Sequence, residues 1–292
     1  GAGKTTTIRV LATLLRPTSG RARIAGHDVV REAPEVRRRV GFAMQSVALE
    51  NLLTGRENLE LIGRLHRVPT EHLRDRIAGL LELVALGDAA DRLVGTYSGG
   101  MRRRLDLATA LVHGPEVLFL DEPTEGLDPQ SRGALWDELV RINRAGTTML
   151  LTTHYMEEAE RLCGRIAIID EGRIVADGRP ADLKLAVGGD TVTVGLAADG
   201  NGGLAHAQDE VIRLLAGFAP LTGIERTAGG LALSVLDARA AVPDLLRRLD
   251  GNGTHVTALA MTEPSLDDVF VRYTGKRIRP EAADRPLGLG WW

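Results

Sequence analysis

The sequence predicts an α/β fold with a smaller α+β unit appended, and three observations carry that prediction. Gly1-Ala2-Gly3-Lys4-Thr5-Thr6 runs straight into a helical pattern, the form of a phosphate-binding loop at a helix N-terminus. Two short apolar runs, Val117-Leu118-Phe119-Leu120 and Met149-Leu150-Leu151, flank a helical segment opened by Asp128-Pro129 and closed by Gly146. Strands alternating with helices imply a largely parallel sheet buried on both faces. Beyond Gly188-Gly189 the order is strand (191–196), helix (209–218), strand (223–227), strand (231–236), helix (239–249), strand (254–261). That is the βαββαβ order of a ferredoxin-like unit.

The first helix is expected over Thr6 to Leu15, with Ile8, Leu11, Leu14 and Leu15 on its apolar side and Pro17 and Gly20 ending it. Arg21 to Gly26 and Val40 to Met44 read as strands, and the Arg37-Arg38-Arg39 run between them as a solvated face. From Leu52 to His113 the pattern is helical. Leu73, Ile77, Leu80, Leu81 and Val84 form one stripe behind Thr70, a candidate N-cap. Ile166 to Ile169 and Arg173 to Ala176, joined at Glu171-Gly172, read as a hairpin, and a last helix is expected over Ser265 to Tyr273. The segment from Lys276 to Trp292, rich in Arg, Pro and Gly, is expected to be disordered.

Composition narrows the function classes. The 292 residues are 44% hydrophobic but only 3% aromatic, which suits an aliphatic α/β core, and there is room for one large domain plus a small one. A net charge of -3 gives no case for nucleic acid as the main partner. The Arg-rich, Lys-poor usage associates with a GC-rich bacterial genome. The single cysteine, Cys163, excludes an internal disulfide, fits a reducing compartment and reads as a small core residue. No apolar run approaches the roughly 18–20 residues of a membrane-spanning helix, so the chain is expected to be cytosolic and soluble.

Several motifs carry chemistry. In the opening loop, Lys4 offers a point charge for phosphates, Thr5 a hydroxyl for Mg²⁺, and Thr6 sits in the helix first turn, where the dipole favours anions. Leu118-Phe119-Leu120-Asp121-Glu122 is a buried strand running into two carboxylates. Asp121 suits a metal shell and Glu122 the polarisation of an attacking water. Tyr97-Ser98-Gly99-Gly100-Met101 opens a helix with a hydroxyl and two glycines, a second segment that a phosphate can approach closely. One chain does not need two such loops for one phosphate, so this one is read as serving nucleotide held by another subunit. His154 follows the strand ending at Thr153, at the sheet edge where ligands sit, and is read as a γ-phosphate contact. Gln45 ends the strand from Val40, in reach of metal or water. The Arg102-Arg103-Arg104 run does not form one patch, because consecutive helical residues point about 100° apart. It is read as a dimer-interface or lipid-side contact.

In order and spacing, Gly1 to Thr6, Gln45, Tyr97 to Met101, Leu118 to Glu122, Gly126-Leu127-Asp128 and His154 resemble the successive nucleotide-site motifs of the ABC transporter ATPases. Met101-Arg102-Arg103-Arg104-Leu105-Asp106 and Glu263 to Phe270 resemble the daunorubicin-resistance type of drug-export ATPase within that family. The resemblance implies a P-loop NTPase fold of ABC type over 1–187, with a helical subdomain over about 46–113 that meets a membrane partner. It also implies an accessory domain over 188–275, followed by the tail 276–292. Implied cofactors are ATP and Mg²⁺. The nucleotide is held by Gly1, Ala2, Gly3, Lys4, Thr5 and Thr6, the metal by Thr5, Gln45 and Asp121, and catalysis falls to Glu122, His154 and Gln45. Ser98, Gly99 and Gly100 would cap ATP bound by a second, head-to-tail copy, with Asp128 in the loop crossing that interface and Gln45 starting the loop that couples to a permease. Met101 stands where the wider family has Gln, and Glu125 where a small hydroxyl residue is usual. Neither is expected to abolish hydrolysis.

The expected activity is therefore ATP hydrolysis that drives export of a hydrophobic drug, antibiotic or lipid through a separate multi-helix permease, at the cytoplasmic face of the membrane. The rivals are a soluble ABC ATPase acting on ribosomes or DNA and a nucleotide-sensing regulator. One cassette without sustained heptads argues against the first, while the βαββαβ unit permits the second. The loop pattern also calls for a leading glycine, an aiming strand and an aromatic residue for adenine. A segment before Gly1 is expected to supply them, and residues 1–292 alone are expected to bind MgATP weakly.

Overall fold

The computed structural model of the chain describes residues 2–43, 49–197 and 203–275. They divide into two compact units: the residues up to Leu162 with Ile169–Arg173, and Cys163–Ile168 with the residues from Ile174 on.

The first unit opens with α1 (Lys4–Leu11), then a short hairpin of β1 (Arg23–Ile24) and β2 (His27–Asp28), α2 (Ala33–Arg39) and β3 (Val40–Ala43). Three longer helices follow, α3 (Gly55–Leu65), α4 (Thr70–Leu83) and α5 (Gly99–Leu111), and then β4 (Val117–Asp121), α6 (Pro129–Arg144), β5 (Thr148–Thr152) and α7 (Met156–Leu162). Strands β3, β4 and β5 form a parallel sheet with β4 in the centre. Side chains alternate across a strand, so β4 serves two cores. Phe119 faces Ile8 of α1 and Val36 of α2, whereas Leu118 and Leu120 join the helical core of Leu80, Leu105, Leu111 and Leu139. The register sets Asp121 directly beside Thr152 at the C-terminal edge.

The expectation of strands buried on both faces holds for β4 but not for β5. Strand β5 is the edge of the described sheet and alternates exposed with half-buried positions.

Helix α1 is shorter than its apolar pattern. Thr13 takes a left-handed φ of 63° and the N–H groups of Leu14 and Leu15 turn back to the Arg9 carbonyl, closing the helix at Leu11. Leu14 and Leu15, counted on its apolar side from sequence, are 56% and 46% exposed. The strand expected over Arg21 to Gly26 is only two residues long, because Ala25 (φ 47°) and Gly26 (φ 84°) form the turn into β2. A left-handed pair of this kind matches the twist of a two-residue hairpin. Thr70 does not cap α4: it is the first helical residue, and Pro69 precedes it. The capping box belongs instead to α3, where Thr54 and Glu57 exchange side-chain and backbone hydrogen bonds. The stripe Leu73, Ile77, Leu80, Leu81 and Val84 is buried as its spacing requires.

Strands β6 (Ile166–Asp170) and β7 (Arg173–Gly178) pair as the expected hairpin, turning at Glu171 (φ 49°) and Gly172 (φ 76°). Cys163 is half-buried rather than a core residue.

The second unit continues through α8 (Pro180–Val187), β8 (Asp190–Leu196), α9 (Gly203–Leu214), β9 (Leu221–Thr227), β10 (Gly230–Val235), α10 (Ala238–Gly251), β11 (Val256–Thr262) and α11 (Leu266–Thr274). Its sheet is antiparallel in the order β11-β8-β10-β9. This is the spatial order of a βαββαβ ferredoxin-like unit. Val192, Val194, Leu231 and Leu233 form its core with Val211 and Leu215 of the α9 segment and Leu245 and Leu249 of α10. Ser265 and Asp268 close a capping box on α11, and α11 packs on α8. Among the described residues no helix is long and apolar enough to cross a membrane. The expectation for 276–292 lies outside the described residues.

Candidate active site

The parallel register and the start of α1 bring five sequence-predicted residues to one edge of the sheet. Gly3, at a φ of 101° that side chains rarely adopt, is the N-cap of α1 and turns Lys4 and Thr5 into the first helical turn. Thr5 Oγ1 donates to Asp121 Oδ1 at 3.2 Å. Lys4 Nζ lies 3.6 Å from Glu122 Oε1, and His154 Nδ1 lies 2.8 Å from Glu122 Oε2. A carboxylate only accepts, so Nδ1 is the donor, and Nε2 is left for another partner. Lys4, Thr5, Asp121, Glu122 and His154, scattered over 150 positions of sequence, thus form one connected polar cluster.

Glu122 is held in a left-handed conformation at φ 49°. Such a residue costs on the order of 1–3 kcal/mol and persists only where its surroundings fix it. Here the Glu122 N–H is shared between the carbonyl of Thr152 (3.1 Å) and its Oγ1 (3.2 Å). Thr152 Oγ1 in turn donates to Asp121 Oδ1 at 2.5 Å. The 3.2 Å approach of the Thr5 hydroxyl to the buried Asp121 carboxylate sets two hard oxygen donors side by side, which fits Mg²⁺. Gln45 and Gly1, the other residues expected to hold metal or nucleotide, lie outside the described residues. Ala2 accepts a hydrogen bond from the Gly172 N–H, and the Thr7 hydroxyl donates to the Gly3 carbonyl. The Thr6 side chain is exposed.

Ser98, Gly99, Gly100 and Asp128 form a second group. Ser98 Oγ accepts from the Met101 N–H and caps α5. Asp128 caps α6, accepting from the N–H and hydroxyl of Ser131, and these bonds hold its carboxyl below the usual range. The groups meet at Gly100, where a Cβ would come within 3.0 Å of Ser131 Oγ. Among the described residues the side-chain bonds of this group stay within the starts of α5 and α6, and those of the Lys4–Glu122 cluster within the sheet edge and α1.

Within the arginine run Arg103 is buried, while Arg102 and Arg104 are half-buried. Arg103 is buried beneath the tandem carboxylates, donating from Nε to the Pro123 carbonyl (2.7 Å) and from Nη2 to those of Asp121 (3.2 Å) and Glu122 (3.3 Å). Its Nη1 pairs with Asp106 Oδ2 at 3.3 Å. Burial outweighs that pairing at both ends, pushing Asp106 up to about 6 and Arg103 down. Arg104 binds the carbonyls of Val84 and Ala85, and Arg102 that of Gly95. All three spend donors on the chain's own carbonyls, and the buried face of α5 begins at Arg103.

Sequence reasoning also missed Thr152 and Glu158. Glu158 Oε1 accepts from Thr124 Oγ1 (2.8 Å) and Trp136 Nε1 (2.9 Å), tying α7, the loop after Glu122 and α6 together. Thr152 could have been found from its place beside His154. Nothing local marks Arg103 or Glu158 as buried.

With the geometry in place, comparison with known proteins is direct. The family described as ABC transporter matches residues 1–125, and that described as the C-terminal domain of DrrA1-3-like ATP-binding proteins matches residues 178–274. The chain is 46% identical to the daunorubicin resistance ATP-binding protein DrrA3 of Streptomyces coeruleorubidus, over 97% of this chain and 87% of that protein. It is 45% identical to the daunorubicin/doxorubicin resistance ATP-binding protein DrrA of Streptomyces peucetius, over 94% of this chain and 82% of that protein. Among solved structures, a dimeric ATP-binding cassette in a post-hydrolysis state, bound to ADP and Pi, superposes with a TM-score of 0.55. That match has 27% identity and covers 61% of this chain and 81% of the other. A P-loop helix, tandem acids and strand-end histidine in one cluster, with relatives of this kind along nearly the whole chain, place it in the ABC transporter family as an ATP-binding, ATP-hydrolysing subunit of the DrrA-like branch.

Proposed function

We propose that this chain is the motor subunit of an exporter, hydrolysing ATP to drive a hydrophobic drug, antibiotic or lipid through a separate membrane permease. The observation that supports it most is the connected cluster of Lys4, Thr5, Asp121, Glu122 and His154 on one sheet edge. In this reading residues 1–187 form the ATPase domain and 188–275 the accessory domain, and the chain works at the cytoplasmic face of the membrane through the permease. Two copies close head to tail, with Ser98, Gly99, Gly100 and Asp128 of each copy facing nucleotide held by the other. The relatives named for daunorubicin and doxorubicin resistance support the drug cargo. Neither remodelling of ribosomes or DNA nor nucleotide sensing alone has comparable support.

The chemistry assigned to each residue follows from its atoms. Lys4 leaves Glu122 for the β- and γ-phosphates when nucleotide enters, since one ammonium 3.6 Å from a carboxylate is drawn more strongly to a polyphosphate. That frees Glu122 Oε1 to orient the attacking water and accept its proton. His154, fixed through Nδ1 on Glu122 Oε2, presents Nε2 toward the γ-phosphate. Thr5 and Asp121 would hold Mg²⁺ together with Gln45; when bound, the ion supplies charge neutralisation on the phosphate oxygens. Gly1, Ala2, Gly3 and Thr6 complete the cradle for the phosphates through the loop backbone and the first turn of α1.

Expression of the chain together with a candidate multi-helix permease from the same genome, in a drug-sensitive host, tests the reading. Energy-dependent loss of intracellular anthracycline that requires both proteins, and co-fractionation of the chain with membranes only when the permease is present, are the expected results. Unchanged drug accumulation, together with permease-independent fractionation, contradicts it.

A further inference from the structure

Arg132 sits in the first turn of α6, four residues after Asp128, and its guanidinium lies over the Tyr155 ring at 4.2 Å from the centroid. Its Nε is buried and finds no hydrogen-bond acceptor, and among the described residues no carboxylate pairs with it. A guanidinium in that position is stabilised by the negative face of the ring and not by an anion. On its other contact, Tyr155 stacks against His154, with centroids 4.1 Å apart and planes tilted by 39°. The Tyr155 N–H is tied to Thr153 Oγ1 at 2.9 Å, and its carbonyl accepts from Ala159 as α7 begins, so the ring is anchored at its backbone. Arg132, Tyr155, His154 and Glu122 therefore form a continuous row, with a direct contact at each step.

We infer that Tyr155 and Arg132 are positioning residues for His154. The histidine otherwise has one directional restraint, the bond from Nδ1 to Glu122, and rotation about that bond would carry Nε2 away from the phosphate. A ring packed against the imidazole removes that freedom, and the guanidinium behind Tyr155 holds the ring in turn. Because Arg132 lies on the helix capped by Asp128, movement of α6 would be felt at His154 through the stack. This inference rests on the proposed role of His154 and adds two residues that act through it.

Steady-state ATP hydrolysis by the full-length protein separates the two claims. His154→Ala tests the role of the histidine itself: it should lower kcat, and an unchanged kcat removes that role whatever the stack does. Tyr155→Ala should lower kcat by about 10- to 100-fold, the scale on which misplacing a reacting group acts, while the KM for MgATP moves less than about threefold. Tyr155→Phe, which keeps the ring and loses the hydroxyl, should restore kcat to within about threefold of wild type. Arg132→Met should lower kcat in the same direction by less. In a His154→Ala background, Tyr155→Ala and Arg132→Met should have no further effect on kcat, because residues acting through one group are not additive. Equal losses in the two backgrounds, a Tyr155→Phe as impaired as Tyr155→Ala, or an unchanged kcat in Tyr155→Ala overturns the inference.

Discussion

At the scale of single residues, Glu122 depends on what lies behind it as much as on what faces it. Its left-handed backbone is pinned by Thr152 in front and by Arg103 underneath, and Arg103 bridges three successive carbonyls of the loop. Arg103→Met keeps most of the volume but removes the guanidinium's bonds to those carbonyls and its pairing with the buried Asp106 carboxylate. Breaking one side of a buried pair typically costs about 3–5 kcal/mol, and this loss should appear as a lower urea midpoint. Adding Asp106→Asn should recover part of it, and a double variant as unstable as the sum of the singles would contradict the pairing. The contrast with Lys4, Asp121, Glu122 and His154 explains what the sequence could show. Those four sit in local patterns that announce their chemistry. Arg103 lies in a run of three arginines, and only tertiary burial distinguishes it from Arg102 and Arg104.

At the scale of elements, α5 carries two titrating groups that oppose each other. Asp106 is raised by burial from 3.8 to about 6, so it adds stability that is fully present below its unfolded value and lost as pH rises through about 6. His113, just past the helix, is lowered from 6.5 to about 4 by burial and by its stacked neighbour His66, 4.0 Å away, with Arg76 acting in the same direction and a bond to the Val40 carbonyl against it. Its contribution is fully present above about 6.5 and lost as pH falls through about 4. Between pH 4 and 6 the two slopes partly cancel. Relative to wild type, Asp106→Asn should lose stability more steeply on acidification over that interval, and His113→Gln should lose less or gain. Chemical denaturation at several pH values checks this, and two variants with parallel profiles would contradict it. The helical stripe of α4 and the strand β4 were legible because their periodicity is long and uninterrupted. The ends of α1 and the true cap before α3 were not, because a single left-handed residue at Thr13 and a reciprocal pair at Thr54 and Glu57 override the apolar pattern.

At the scale of the whole molecule, the described residues form hydrophobic cores on both faces of the parallel sheet and a separate one inside the βαββαβ unit. The order of strands in the second was readable because alternating strands with short turns leave few topologies, and the antiparallel order β11-β8-β10-β9 is the one that a ferredoxin-like unit takes. The first unit was readable from its motifs, since the register that sets Asp121 beside Thr152 also sets the acids beside the strand-end histidine. Its close approach of Gly100 to Ser131 was not, because it depends on how α5 and α6 pack. What unites the three scales is the claim that Glu122 activates water for ATP hydrolysis. The measurement that tests it most directly is the turnover of Glu122→Gln in the full-length protein, with MgATP binding followed in the same preparation. Loss of a general base should lower kcat by about 10²–10⁴-fold while ATP is still bound and an ATP-loaded dimer accumulates. Turnover equal to wild type, with nucleotide bound normally, would contradict the account.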